Sequence, residues 1–393
     1  MDYYAESLKL HEEHRGKIEV ISKVPLKTRD DLSLAYTPGV AEPCMRIHQN
    51  PSDVYKYTNK GNMVAVVSDG SAVLGLGNIG GAAGMPVMEG KAILFKEFGG
   101  VDAFPICLDT QDVDEIVATV QHIAPTFGGI NLEDISAPRC FEIEQRLIEA
   151  LDIPVFHDDQ HGTAIVVLAG LINALKLTNR KLENTRIVVN GVGAAGVAIT
   201  KLLIRYGADP KKMLLCDSRG AIYLNRDHLN PIKEKLAKIT NVACKLGTEH
   251  PDCKTGGLSE LMEGADVFIG VSQPKLVTSE MIKSMAKDPI VFAMANPEPE
   301  IMPDVAKKAG ATIVATGRSD FPNQINNVLA FPGLFRGVLD ARIKRFTDEI
   351  KILAAEAIAG YVKKPTADEI IPSTLDRGVA KALAETIKSM TKK

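Results

Sequence analysis

Short apolar runs recur along this chain, and from residue 186 onward they alternate regularly with stretches of helical period. Runs bounded by turn residues predict buried strands at 186–190, 213–216, 266–271, 290–294 and 312–315. Helical stretches between such strands predict a parallel sheet covered on both faces. Upstream, Met63–Val67 and residues 102–109 read as further strands. Helices are expected over Glu115–Ala124 and Ala137–Leu151, and over Pro86 to Phe98, where the proline suits a first turn. Gly162–Lys176 predicts a helix apolar on most faces, joining two domains. Residues 1–30 are polar, first helical and then irregular, and "YTPGVAEPC" (Tyr36–Cys44) reads as an ordered loop. Leu334–Lys393 predicts amphipathic helices, and no internal repeat is present. The expected fold is α/β. An N-terminal α/β domain spans 1–160, and a Rossmann-type, doubly wound parallel sheet with a helical C-terminal tail spans 161–393.

Composition changes this picture little. The chain has 393 residues, 45% of them hydrophobic, with 32 Gly and 21 Pro, which suits a loop-rich enzyme of two or three domains. A net charge of −3 argues against a nucleic-acid or membrane-surface partner. No stretch reads as the ~20 apolar residues needed to span a bilayer. The acidic, aromatic start Met1-Asp2-Tyr3-Tyr4-Ala5-Glu6 is unlike a targeting peptide. Cysteines 44, 107, 140, 216, 244 and 253 form no C-x-x-C pair, so reduced thiols in a cytoplasmic protein are expected.

The chemistry concentrates in three places. Gly191-Val192-Gly193-Ala194-Ala195-Gly196 follows a predicted strand and opens a predicted helix, the context a dinucleotide pyrophosphate needs. Asp217 ends the next strand, 21 residues after Gly196, where a carboxylate meets the ribose hydroxyls. It favours NAD, whereas Arg219 could neutralise the 2′-phosphate of NADP, so the choice stays open. Gly75–Gly80 also fits the glycine pattern. There Gly81, Gly84 and Pro86 follow, which argues against an immediate helix and for a loop close to a ligand. Two acidic pairs, Glu133-Asp134 and Asp158-Asp159, follow apolar runs at expected strand ends. Oxygen ligands there suit Mg²⁺ or Mn²⁺, and two adjacent ligands require the strand to have ended. His157 and His161 offer a weaker, zinc-like alternative, or simply hydrogen bonds around the carboxylate loop. Lys91, among Ala92, Ile93 and Leu94, is a candidate base, since apolar surroundings lower a lysine pKa. Tyr36 is a candidate acid. A metal beside a nicotinamide suggests oxidation of a hydroxy acid.

In combination, "YTPGVAEPC", "SDGSAVLGLGNIG", "GMPVMEGKAILF", "NLEDI", "FHDDQHGTA", "GVGAAG", "ANPEPEI" and "NQINNVLAFPG" resemble the malic enzyme family in its short bacterial and archaeal form. The resemblance runs from about residue 15 to 385. It implies oxidative decarboxylation of L-malate to pyruvate and CO₂ with reduction of NAD(P)⁺, through bound oxaloacetate. It implies Tyr36 as general acid, Lys91 as general base with Asp158 tuning it, and Glu133, Asp134 and Asp159 as ligands of Mg²⁺ or Mn²⁺. Asn296 and Asn326 would contact substrate and nicotinamide, with Asn327 assisting. The bland readings are a turn at Asn296-Pro297 and a helix cap at Asn326-Asn327. By the same resemblance, residues 1–160 would carry substrate and metal, and 161–393 the nucleotide. One departure stands out: larger members carry an arginine where Ala72 falls, and Arg318 is a candidate replacement for binding a substrate carboxylate. A malolactic conversion with NAD retained, or dehydrogenation of another 2-hydroxy acid, is the alternative activity. A homodimer built from the N-terminal segment and the C-terminal helices is expected.

Overall fold

The computed structural model describes residues 2–73 and 75–390. Two parallel sheets dominate. The first has strands β1 (Met63–Ser68), β2 (Asp102–Cys107), β3 (Gly129–Leu132) and β4 (Val155–His157), in the order β2-β1-β3-β4. The second has β5 (Ile187–Asn190), β6 (Met213–Asp217), β7 (Gly220–Ala221), β8 (Val267–Gly270), β9 (Ile290–Ala293) and β10 (Ile313–Thr316), in the order β10-β9-β8-β5-β6-β7. Only the short β7 runs antiparallel, against β6. Chain order reverses beside β5, which creates the crevice at its carboxyl end.

Alternate strand residues enter different cores. Val64 and Val66 of β1, with Ile187 and Val189 of β5, join one large cluster between the sheets. Ala65 and Val67 face a second cluster outside the first sheet, and Val188, Phe268 and Val291 a third outside the second. Burial on both faces is why the strands read as continuous apolar runs rather than alternating ones.

The helix Asp158–Leu177 fills the central core. By length and composition it could cross a membrane, contrary to the sequence expectation; 72% of its apolar window is buried inside the protein, which makes it a core helix. It packs against the helices Ala194–Tyr206 and Asp348–Tyr361. The other C-terminal helices, Phe331–Ala341 and Arg377–Ser389, pack on each other. Phe335 meets Phe95, Phe156 and Phe346 at centroid distances of 5.1, 5.9 and 5.2 Å. The apolar faces of the C-terminal helices are therefore spent within the chain, which removes them as the reason to expect a dimer.

Several local expectations are corrected. A helix does start directly after Gly80, over Gly81–Gly99, with Pro86 inside it. Its first residue abuts the chain after β2: a Cβ on Gly81 would lie 2.4 Å from the Leu108 carbonyl oxygen. Glycine there signals close packing, not a break. The loop at Tyr36–Cys44 is shorter than expected, because a helix begins at Ala41. Cys244 and Cys253 form a disulfide, whereas Cys44, Cys107, Cys140 and Cys216 are free as expected. The pair lies nine residues apart, and Asn241 draws the ends together, donating from Nδ2 to the Lys254 carbonyl at 2.6 Å and accepting from its N–H at 3.2 Å.

Candidate active site

Both acidic pairs stand just past strand ends. β3 stops at Leu132, and Asp134 turns the chain with a left-handed φ of 53°. β4 stops at His157, and Asp158 and Asp159 form the first turn of the helix that follows. Negative side chains there favour the positive end of the helix dipole. The adjacent strands β3 and β4 deliver the two pairs to one place. Asp159 Oδ2 accepts from the Asp134 N–H at 2.8 Å.

Lys91 reaches the same place from the helix Gly81–Gly99. Its Nζ lies 2.6 Å from Asp158 Oδ2, 2.9 Å from Glu133 Oε1 and 4.4 Å from the Phe331 ring centre. Lys91, Glu133, Asp134 and Asp158 are buried, whereas the Asp159 side chain is 34% exposed and opens the cluster to solvent. Gly162 leaves room for the arrangement, since a Cβ there would sit 1.9 Å from Asp158 Oδ1.

The electrostatics correct one expectation. Burial alone would depress the Lys91 pKa, but Asp158 and Glu133 outweigh it and hold the ammonium above its ordinary value. Its apolar sequence neighbours do not set its environment. Burial pushes Glu133 well up, against the pull of Lys91 and with that of Asp159. Burial and then Asp159 push Asp134 up to about 8. Four carboxylates thus face one ammonium.

That imbalance fits a divalent cation. Glu133, Asp134 and Asp159 each offer a ligand atom, all within 4.8 Å of one another. Asp134 Oδ2 is buried without a hydrogen-bond partner among the described residues. An all-oxygen set of this kind suits Mg²⁺ or Mn²⁺ rather than zinc. The histidines lie behind it: His161 pairs with Glu144, and His157 Nδ1 is 3.8 Å from Asp159 Oδ2.

The glycine turn after β5 is built by close contact. A Cβ on Gly191 would lie 2.5 Å from the Val271 carbonyl oxygen, and one on Gly196 would lie 1.7 Å from that of Gly191. Gly191, Val192 and Gly193 line a cavity of about 560 Å³ with Asp217 and Ser272, and Ala194, Ala195 and Gly196 open the helix behind it. Asp217 sits where the sequence placed it, but not as a free carboxylate. Arg226 grips it at 2.9 and 2.7 Å, and Lys233 at 2.6 Å. Against the effect of burial, these cations hold its carboxyl far below the usual range. Its power to repel a 2′-phosphate is correspondingly reduced. Neither Arg226 nor Lys233 carries a sequence signal, since isolated basic residues at such offsets are common.

The remaining candidates divide. Asn296 lies beside Gly317, where a Cβ would sit 2.8 Å from its Nδ2. Asn326 Oδ1 caps the Val328 N–H at 3.0 Å, and the residue lines a separate 660 Å³ cavity with Leu94 and Phe98. Asn327 approaches Gly162. Arg318 is held bidentate by Asp320 at 2.8 and 2.7 Å. Tyr36 is 67% exposed, and its side chain makes no hydrogen bond to the cluster among the described residues.

Family models for the malic enzyme N-terminal domain and the malic enzyme NAD-binding domain match residues 15–148 and 160–389. The chain belongs to the malic enzyme family. It is 57% identical over 390 residues to a "Bifunctional malic/malolactic enzyme" of Bacillus subtilis, covering 98% of this chain and 92% of that one. Identity is also 57%, over 374 residues, with an "NAD-dependent malic enzyme" of Geobacillus stearothermophilus, covering 95% and 76%. A malic enzyme structure from Pyrococcus horikoshii superposes with a TM-score of 0.93 at 50% identity, covering 99% and 90%.

Proposed function

We propose that this chain converts L-malate to pyruvate and CO₂ while reducing NAD⁺ or NADP⁺. The observation that carries the reading is Lys91 buried between Asp158 and Glu133, beside an oxygen-ligand cluster that opens at Asp159. The part up to residue 160 serves substrate and metal, and 161–393 serves the nucleotide. Glu133, Asp134 and Asp159 hold Mg²⁺ or Mn²⁺. A cation held there would polarise the C2 oxygen of malate, and a bound nicotinamide would take hydride from C2.

Lys91 takes the proton of the C2 hydroxyl. Asp158, Glu133 and Asp159 keep its ammonium charged, and a cation held by Glu133 and Asp159 would offset part of that field. Asp158, buried against Nζ, fixes the direction of that transfer. The oxidised product is a β-keto acid, and loss of its carboxylate leaves an enol that needs a proton at C3. Tyr36 is the residue assigned to it. Asn296 and Asn326 orient substrate and nicotinamide.

Tyr36 belongs to a segment whose helices, Tyr3–His14, Arg29–Ala35 and Ala41–Gln49, bury no residue. Tyr4, Leu8, Val20, Ile21 and Leu34 are exposed along it. A second copy of the chain is the partner that this exposed apolar surface suits, and dimerisation is the route by which Tyr36 meets a cleft. A monomer by light scattering at micromolar concentration refutes this. Asp217 leaves both nucleotides admissible, because two cations neutralise it.

The deciding experiment incubates protein, L-malate and Mn²⁺ with each nucleotide, following absorbance at 340 nm and the organic products. Reduced nucleotide with equimolar pyruvate supports the proposal. Lactate without net reduction supports a malolactic reaction, the second activity in the name of the Bacillus subtilis relative. Neither product refutes both.

A further inference from the structure

The turn that carries Asp158 and Asp159 is held from behind by a carboxylate that the reaction does not use. Glu144, on the helix Arg139–Ala150, is 7% exposed. Its Oε1 accepts from the His157 N–H at 3.0 Å, and its Oε2 from Gln160 Nε2 at 3.3 Å. His161 Nε2 lies 2.9 Å from Oε1 and 3.0 Å from Oε2. These partners flank Asp158 and Asp159 on both sides. The cap residue, His157, gives the helix no side-chain bond, and both its buried ring nitrogens lack hydrogen-bond partners among the described residues. Glu144 is thus the side chain that ties strand end to helix start.

We propose that Glu144 is a positioning residue for the cation site: fixed on three donors, its carboxylate sets Asp159 in register with Glu133 and Asp134. The inference rests on reading those three residues as the metal ligands. Donors stand against both carboxylate oxygens of Glu144, and the contact with His161 holds its carboxyl below the usual range against the effect of burial, so it accepts at both. A glutamine has the same shape and accepts at only one atom. Its amide would face a donor, and the turn must shift to relieve that. Any shift passes to Asp159, whose Oδ2 already holds the Asp134 N–H. Partners behind metal ligands tune affinity in this way.

The test is Glu144→Gln in the full chain, with Mn²⁺ binding followed by the electron paramagnetic resonance of the free ion. NADH binding is followed by fluorescence, and KM is measured for malate and for nucleotide. The expected result is a Mn²⁺ Kd raised roughly 10–100-fold, a raised KM for malate, and unchanged NADH affinity. A wild-type Mn²⁺ Kd overturns the proposal, as does an equal loss of Mn²⁺ and NADH affinity, which marks general loosening. Asp159→Asn runs beside it. Loss of Mn²⁺ binding there, with none in Glu144→Gln, overturns the positioning role alone; no loss in either overturns the ligand assignment with it. Should Glu144→Gln not fold, His161→Asn replaces it: a Mn²⁺ Kd raised several-fold supports the role and an unchanged one overturns it.

Discussion

Replacing Lys91 by alanine should have two separable effects, because one ammonium serves both the reaction and the fold. As the proton acceptor at C2, its loss should lower kcat by at least ~10², or about 2.7 kcal/mol of barrier. As the buried partner of Asp158 and Glu133, its loss strands two carboxylates at 2.6 and 2.9 Å from the vacated nitrogen position. Breaking a buried pair from one side costs about 3–5 kcal/mol. The deficit should depend on metal. Without Lys91, Glu133, Asp134, Asp158 and Asp159 face no cation at all, so a divalent ion gains affinity. At 100 times its Kd such an ion returns about 2.7 kcal/mol of stability. Urea melts of wild type and Lys91→Ala, each in EDTA and in excess Mn²⁺, measure both terms, and absorbance at 340 nm measures turnover. Equal stability of the two proteins in EDTA would refute the electrostatic account. Near-normal turnover would remove Lys91 from the chemistry.

Asp134 gives a pH dependence. Its carboxyl is raised to about 8 in the folded protein, so between the ordinary carboxylate range and pH 8 the folded state binds a proton that the unfolded chain releases. Metal-free protein should therefore lose stability as pH rises through that window, the Mn²⁺-loaded protein should not, and Mn²⁺ uptake at neutral pH should release protons, detectable by calorimetry in buffers of differing ionisation enthalpy. Lys233→Ala should lower kcat/KM for NADP⁺ about tenfold more than for NAD⁺, as expected for one lost charge-assisted hydrogen bond; an unchanged ratio would show that Lys233 serves only Asp217. Phe335→Ala removes the ring that contacts Phe95, Phe156 and Phe346 and should cost about 3–5 kcal/mol by denaturant melting.

The parallel sheet from residue 186 onward, the strand ends and the acidic pairs were legible because they depend on local pattern, whereas the order of strands within each sheet was not. Every strand expected from 186 onward forms within a residue or two, and both acidic pairs lie past strand ends as adjacent ligands require. What escaped was set by distance in the chain. Lys91 meets Asp158 across 67 residues, so its sequence neighbours suggested an apolar pocket where carboxylates stand. Glu144 meets His161 across 17, and Arg226 meets Asp217 across nine, with nothing in composition to mark either pair. Pro86 suggested a helix start, yet the helix begins at Gly81, where contact with Leu108 excludes a side chain.

The apolar layer between the two sheets belongs to neither half of the chain. Val64, Met88 and Phe95 share it with Ile187, Val189 and Phe292, and the helix Asp158–Leu177 runs through it. Helices that cover the first sheet pack on helices that lead to the second, so neither half can unfold without uncovering part of the other. The chain should then melt in one calorimetric transition despite its two sheets, and a fragment carrying either sheet alone should expose its share of that layer and aggregate rather than fold.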